Sequence, residues 1–290
     1  MHPRRRFSLS LPGGRALTLG VRTLVMGVLN VTPDSFSDGG TSVDAGRAVE
    51  SGLRLVEAGA DILDIGGEST RPGARPVSAG EERARVIPVI EALAPRITVP
   101  ISVDTYKSTV AAAAIGAGAA IINDVSGLRY DPALGAVAAG TGAPLVLMHT
   151  RGRSGDMYRE ASYHDVVAEV LDELRESISF AIGAGVLRAL LVVDPGVGFA
   201  KHAAHSFEVL ARLHEFADLG CPVLVGPSRK SFLTRAIGAA TAPTQRDWAT
   251  AAAVTTAVLE GAHIVRVHAV NEMLPVVRVA DEIRRYHQES

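Results

Sequence analysis

Eight short apolar runs, alternating with helix-like stretches, constrain this chain more than any other feature of it. The runs fall at residues 24–29, 61–65, 101–103, 120–122, 145–148, 190–193, 223–225 and 264–267. Each is too short for a buried helix, and their near-continuous apolar character suits strands covered on both faces. Helical patterns lie between them, at 44–58, 80–93, 108–116, 132–139, 163–184, 206–216 and 245–260, with a last one at 271–286. Start signals include Asp44, and Ser78 with Glu81 three residues on. Gly59, Gly118, Gly140 and Gly185 stand where helices should stop. Eight strand–helix units with no linker between them predict an α/β fold, a (β/α)8 TIM barrel over residues 23–290, within one domain of 1–290. A doubly wound open sheet is the alternative. It would usually need fewer strands, and no G-x-G-x-x-G follows the first run.

Residues 1–22 stand apart from that repeat. Residues 7–11 and 16–19, turned at Gly13-Gly14, predict a short N-terminal β-hairpin. Arg4-Arg5-Arg6-Phe7 resembles a twin-arginine export signal, but Pro12, Gly13, Gly14 and Arg15 break the apolar stretch such a signal needs. The longest run of low charge, 110–122, is too short to span a bilayer, so no membrane association is expected. Net charge is −2, which gives no nucleic-acid footprint, although local fields can still serve a polyanionic small substrate. The one cysteine, Cys221, opens an apolar run and reads as a buried inert thiol in a cytoplasmic protein. Only three lysines occur (Lys107, Lys201 and Lys230) against 26 arginines. Each lysine therefore draws notice, since arginine does not replace a compact point charge.

The strand ends carry the chemistry. After the eight runs come, in order, Asn30; Gly66–Gly67–Glu68–Ser69–Thr70–Arg71–Pro72–Gly73; Asp104; Asn123–Asp124; His149; Asp194–Pro195–Gly196–Val197–Gly198–Phe199; Gly226–Pro227–Ser228–Arg229–Lys230–Ser231; and His268, with Arg266 one step inside. In a barrel these ends converge on one mouth. Polar groups at all eight are hard to explain as packing, because buried polar groups are costly unless satisfied. Asp104, Asn123 and Asp194 offer acceptors and an amide, which suits a flat heterocycle with several N–H donors. Asn123 and Asp124 cannot both face the mouth, so Asp124 is expected to bind backbone amides instead. Arg71, Lys230, Arg266 and His268 bring positive charge suited to phosphate or pyrophosphate, with a rim salt bridge the equal alternative for Arg266 and His268. The loop of Arg71 is bounded by Pro and Gly and could close as a lid. Asn30, with Asp34, Asp38 and Glu68 nearby, could help hold a Mg²⁺ that travels with the substrate, although turn roles suit Asp34 and Asp38 better. Lys230 could instead form a Schiff base, with Arg229 and the preceding apolar strand lowering its pKa.

At this point the residues resemble a family, the dihydropteroate synthases. The stretches that carry the resemblance are NVTPDSFSDGG (30–40), DIGGESTRPGA (64–74), ISVDTYK (101–107), INDVSG (122–127), LMH (147–149), DPGVGF (194–199), SRKSF (228–232) and RVH (266–268). The resemblance implies a transferase of folate biosynthesis that joins 6-hydroxymethyl-7,8-dihydropterin diphosphate to 4-aminobenzoate, with sulfonamides as inhibitors. It implies that Asp104, Asn123, Met148, Asp194, Gly226, Lys230 and Arg266 hold the pterin. Asn30, Thr70, Arg71, Arg266 and His268 would hold pyrophosphate, with Mg²⁺ at Asn30. Phe36, Thr70, Pro72, Phe199 and Ser231 would form the 4-aminobenzoate site, and Asp104, Asp194, Lys230, Arg71, Arg266 and His268 would carry catalysis. The carboxylate of 4-aminobenzoate is expected at a helix start near Ser231. A homodimer is implied as well. Two positions depart from the family pattern: Ala269 where Asp is usual, and Pro227 where Thr or Val is common. A methyltetrahydrofolate-binding methyltransferase, a non-catalytic pterin-binding relative and a lysine-dependent aldolase stand as rival readings.

Overall fold

A computed structural model describes residues 4–32, 41–70, 73–153, 155–159, 161–238 and 242–289. The predicted hairpin is present as β1 (Phe7–Ser10) and β2 (Ala16–Leu19), paired antiparallel with Phe7 opposite Leu19. Gly13 and Gly14 both take positive φ (80° and 81°) at its tip, a backbone that only glycine adopts cheaply.

The barrel follows. Its strands are β3 (Leu24–Asn30), β4 (Ile62–Gly66), β5 (Ile101–Asp104), β6 (Ile121–Asp124), β7 (Leu145–Met148), β8 (Leu191–Asp194), β9 (Leu224–Val225) and β10 (Ile264–Val267). All pair in parallel in the order β8-β7-β6-β5-β4-β3-β10-β9. The ring closes between β8 and β9 through one bridge, Val193 to Val223, with Val193 N–H donating to Pro222 O at 2.9 Å. The long helices are α1 (Thr41–Glu57), α2 (Ala79–Leu93), α3 (Ser108–Gly116), α4 (Ala133–Thr141), α5 (Val166–Gly183), α6 (Ala203–Ala211), α8 (Asp247–Leu259) and α9 (Val270–Glu289), with α7 a single turn (Thr234–Ile237).

Local chemistry sets several of these ends. Ser78 caps α2, its hydroxyl accepting from Glu81 N–H at 3.2 Å, and Asp165 caps α5 through Val167 and Ala168 N–H. Asp44 is not a cap, because α1 begins earlier, at Thr41. Gly142, rather than Gly140, takes the left-handed turn that ends α4.

Alternation along the strands produces two separate cores. Outward side chains such as Val25, Leu63, Val103, Leu147 and Val193 pack against the helices, and Cys221 is sealed in that layer. Inward ones (Leu24, Met26, Ile62, Ile121, Val146, Val192, Leu224 and Ile264) meet Leu9, Leu11 and Leu19 of the hairpin region. The hairpin thus plugs the N-terminal end of the barrel. Two residues further along, the inward position turns polar on several strands (Asp64, Asn123, Asp194 and Arg266), and the opposite end of the barrel becomes the site.

Candidate active site

The inward positions above the apolar plug are Asp64, Asp104, Asn123, Met148, Asp194 and Arg266 on β4, β5, β6, β7, β8 and β10, with Gly226 just past the end of β9. All of them except Asp64 line a hollow open to solvent, completed by Thr70, Val125, Gly196, Val197, Phe199 and Lys230. Groups spread over two hundred residues of sequence share one wall-to-wall space.

Arg266 is the hub. Its Nε donates to Asp64 Oδ2 and its Nη2 to Asp104 Oδ2, both at 2.6 Å. The two carboxylates hold the guanidinium firmly protonated despite burial. Asn123 Nδ2 donates to the same Asp64 oxygen at 3.1 Å, which fixes the amide with its carbonyl left as an acceptor for a ligand. Asp64 is fully buried, and its other oxygen, Oδ1, has no partner. Asp104 is pushed up to about 7 by burial, with Arg266 opposing and Asp64 adding to the rise. Asp194 is pushed up to about 6 by burial, against a 2.7 Å bond from Gly196 N–H and the charges of Lys230, Lys201 and Arg266.

Lys230 stands with its Nζ 3.6 Å from the centroid of the Phe199 ring. Burial, and then Arg266, push its pKa down to about 7, while Asp194 and Asp104 oppose. Arg229, expected to depress Lys230, instead turns away and pairs with Asp247 at 2.8 Å. The hollow therefore offers carboxylates and an amide carbonyl to a ring with N–H donors, and two cations beside them.

The remaining predicted residues fall around that hollow or behind it. Asn30 ends β3, half-buried, opposite Gly66. His268 follows β10, and its N–H and Nδ1 lie 3.2 and 3.0 Å from Ser228 Oγ. Ser231 is exposed and opens a short turn, Ser231–Leu233, that leads only into the four-residue α7, so the helix start expected beside it is weak. Asp124 behaves as expected, accepting from Ser126 and Leu128 N–H at 2.8 and 2.6 Å. His149 does not face the mouth. Met148 takes the inward position of β7, so the next side chain points back toward α5, where it meets Glu173 and Lys201. Glu68 is held by Lys107 and the Tyr106 hydroxyl, which anchors the start of the loop carrying Thr70 and removes Glu68 from any metal role. Phe36, Arg71 and Pro72, with Asp34 and Asp38, lie outside the described residues.

Asp64 is the residue the motif reading passed over. Its signal was present: a carboxylate in the middle of the apolar run Ile62-Leu63-Asp64-Ile65, on the same face as Gly66.

A family described as "Pterin binding enzyme" matches residues 26–268. A dihydropteroate synthase of Synechocystis sp. is 44% identical over 280 residues, 96% of each chain. Among solved structures, the Xanthomonas albilineans dihydropteroate synthase with 4-aminobenzoic acid superimposes with a TM-score of 0.89 at 46% identity, covering 97% of this chain and 99% of that one. The Yersinia pestis dihydropteroate synthase in complex with a sulfonamide drug gives a TM-score of 0.89 at 41% identity, covering 96% and 100%. With the barrel, its polar mouth and these likenesses agreeing along nearly the whole chain, the protein belongs to the dihydropteroate synthase family of pterin-binding enzymes.

Proposed function

We propose that this chain joins 6-hydroxymethyl-7,8-dihydropterin diphosphate to 4-aminobenzoate, releasing 7,8-dihydropteroate and pyrophosphate. The single observation that carries this reading is the meeting of Asp104, Asn123, Asp194, Lys230 and Arg266 in one hollow. The pterin edge carries N–H donors that match the Asn123 carbonyl and the Asp104 and Asp194 carboxylates. Met148 and Gly226 give it flat walls, and the Arg266 guanidinium lies over the ring.

C–O cleavage leaves a pterin methylene cation and moves negative charge onto the departing diphosphate. Positive groups at that oxygen stabilise the transition state more than the bound substrate, which is what accelerates a reaction. Asn30, Thr70, Arg71, Arg266 and His268 serve the diphosphate in this reading. The ionised Asp104 and Asp194 stabilise the cation. The neutral arylamine then attacks the methylene carbon and loses its proton, so no enzyme nucleophile is needed. In this reading Phe36, Thr70, Pro72, Phe199 and Ser231 serve the amine, and a sulfonamide competes for the same residues.

The donor set fits Mg²⁺ rather than a caged metal. Asn30 offers one amide oxygen, and among the described residues no three His, Cys, Asp or Glu side chains cluster. Mg²⁺ needs few protein ligands, because it usually keeps much of its water shell. Asn30 would hold it, and when bound the ion supplies positive charge at the leaving diphosphate.

We also infer that residues 1–290 work as one unit, since hairpin and barrel share a core, and that the unit is a cytoplasmic homodimer. What supports the dimer is exposed apolar side chains on the two packed helices: Trp248 on α8 is 89% exposed, and Val279, Ile283 and Tyr286 follow one another at helical spacing on α9. Light scattering of wild type and Trp248→Glu checks it. Among the described residues no helix is long and apolar enough to cross a membrane.

The test of the reaction is pyrophosphate release from the pterin diphosphate, 4-aminobenzoate and Mg²⁺. Wild type should release it, and Lys230→Ala and Asp194→Asn should be strongly impaired. No release by wild type, or no effect of either substitution, rejects the assignment.

A further inference from the structure

The turn between β8 and α6 holds a conformation that few side chains favour. Gly196, Gly198 and Ala200 all have positive φ, at 67°, 76° and 45°. Ala200 carries a Cβ, so its backbone is strained and must be held by its surroundings. Phe199 sits within this turn and presents its ring to Lys230.

Several bonds hold the turn, and most are local. Asp194 accepts from Gly196 N–H, Ser206 Oγ accepts from Gly198 N–H at 3.1 Å, and the Tyr163 hydroxyl donates to Ala200 O at 2.9 Å. One bond is of a different kind. Lys201 is 1% exposed and runs beneath the turn. Its Nζ donates to the Phe199 carbonyl at 3.1 Å and to His149 Nδ1 at 2.8 Å. Burial pushes Lys201 down to about 7, with Asp194 and Glu173 opposing; in its protonated form it only donates, so Nδ1 is the acceptor and the imidazole proton sits on Nε2. That proton is donated to Glu173 Oε2 at 3.1 Å. Glu173, on α5, is gripped in turn by Arg151 at 2.5 Å and Arg129 at 2.7 Å. A buried cation, a neutral imidazole and a carboxylate therefore form a rigid strut from α5 to the carbonyl of Phe199. The charged groups facing Lys201 are Asp194 in front and Glu173 behind, with Arg151 and Arg129 beyond. Neither Lys201 nor His149 lines the hollow.

We propose that Lys201, acting through His149 and Glu173, is a positioning residue of the amine site, fixing the strained turn so that the Phe199 ring stands where 4-aminobenzoate packs. The inference rests on the assignment of Phe199 to that site. Arginine cannot take this role, because its planar five-donor head would leave several donors unpaired in so small a space.

The experiment compares Lys201→Met, Glu173→Gln and Phe199→Ala by pyrophosphate release with each substrate varied in turn, alongside thermal melting. Losing one charge-assisted bond at the turn should raise the KM for 4-aminobenzoate about tenfold in Lys201→Met. At saturating amine its kcat should stay within about twofold of wild type, and its KM for the pterin diphosphate should rise much less than the amine KM, since Asp194 loses the charge of Lys201 but keeps its bond from Gly196 N–H. The inhibition constant of a sulfonamide should rise with the amine KM. Glu173→Gln, remote from both substrates, should shift the amine KM the same way by about threefold, and it decides the matter if Lys201→Met fails to fold. The proposal is overturned if Phe199→Ala raises the amine KM while Lys201→Met and Glu173→Gln leave it unchanged. It is overturned equally if Lys201→Met raises both KM values together, the mark of a general structural role. An amine KM unmoved by Phe199→Ala removes instead the assignment of Phe199 beneath it.

Discussion

Asp64→Asn tests the core of the site with almost no change of shape. In the folded chain Asp64 Oδ2 accepts from Arg266 Nε at 2.6 Å and from Asn123 Nδ2 at 3.1 Å, in a fully buried position. The asparagine carbonyl can take both bonds, and its amide then falls where Oδ1 has no partner today. The Arg266 bond changes from charge-assisted to neutral. Such bonds contribute about 1.5–3 and about 0.5–1.5 kcal/mol respectively, so the guanidinium loses about 1–1.5 kcal/mol of restraint. A second effect has the opposite sign. Removing the Asp64 charge relieves Asp104 of a like charge, so the Asp104 pKa falls from about 7. Asp104 then stays ionised at lower pH, but against an arginine held less firmly. The net expectation is a loss of about five- to fifteenfold in kcat/KM for the pterin diphosphate, with an acid limb displaced to lower pH. The assay is pyrophosphate release across pH at subsaturating pterin, with melting temperature as the control for folding. An unchanged kcat/KM in a well-folded variant would refute the idea that Asp64 orients Arg266 and Asn123.

Other expectations follow from the same geometry. The kcat/KM for the pterin diphosphate should be bell-shaped in pH and narrow: Asp194 and Asp104 act when ionised, so activity rises between about 6 and about 7, and Lys230 acts when protonated, so it falls above about 7. Lys230→Arg should move only the alkaline limb, upward, and a flat profile from about pH 5 to about pH 9 would contradict both assignments. Gly196→Ala forces a side chain onto a positive φ and into the His149 carbonyl oxygen, so pterin affinity should drop at least about tenfold, whereas Gly13→Ala, with open space around it, should leave activity intact. Leu9→Ala removes a 1% exposed side chain from the barrel plug and should cost about 2–5 kcal/mol in urea unfolding without altering activity per folded molecule. A cost below about 1 kcal/mol would mean that the hairpin does not seal the barrel.

The strands were legible because a parallel barrel buries both faces, and a run such as 145–148 or 264–267 then stands out with almost no ambiguity in its limits. The site was legible for a related reason. The period of two lets only one of Asn123 and Asp124 face the mouth, and the structure turns Asn123 inward while Asp124 accepts from the N–H groups of Ser126 and Leu128. The same rule, applied to β7, would have turned His149 away from the mouth, since Met148 could not share its face. Asp64 escaped for the converse reason: attention to strand ends misses a charge placed one layer down. The ends of α6 and α8 were harder. The run predicted over 206–216 divides into α6 and a tighter helix, Leu213–Leu219, and α8 is preceded by a separate turn at Pro243–Arg246. Hydrophobic spacing scarcely distinguishes the two helix types. Lys201 was noticed only as a rare residue type, because a cation buried under a turn leaves no periodic trace.

All three lysines of this arginine-rich chain are committed indoors. Lys107 is clasped by Glu68 and Glu82, Lys201 lies under the Phe199 turn, and Lys230 faces the hollow. Amine-reactive dyes, crosslinkers and resins will therefore find few side-chain handles on the outside of the molecule. The lysine most ready to acylate near neutral pH is Lys230, so tagging chemistry that merely decorates most proteins should silence this one, and pterin should shield it.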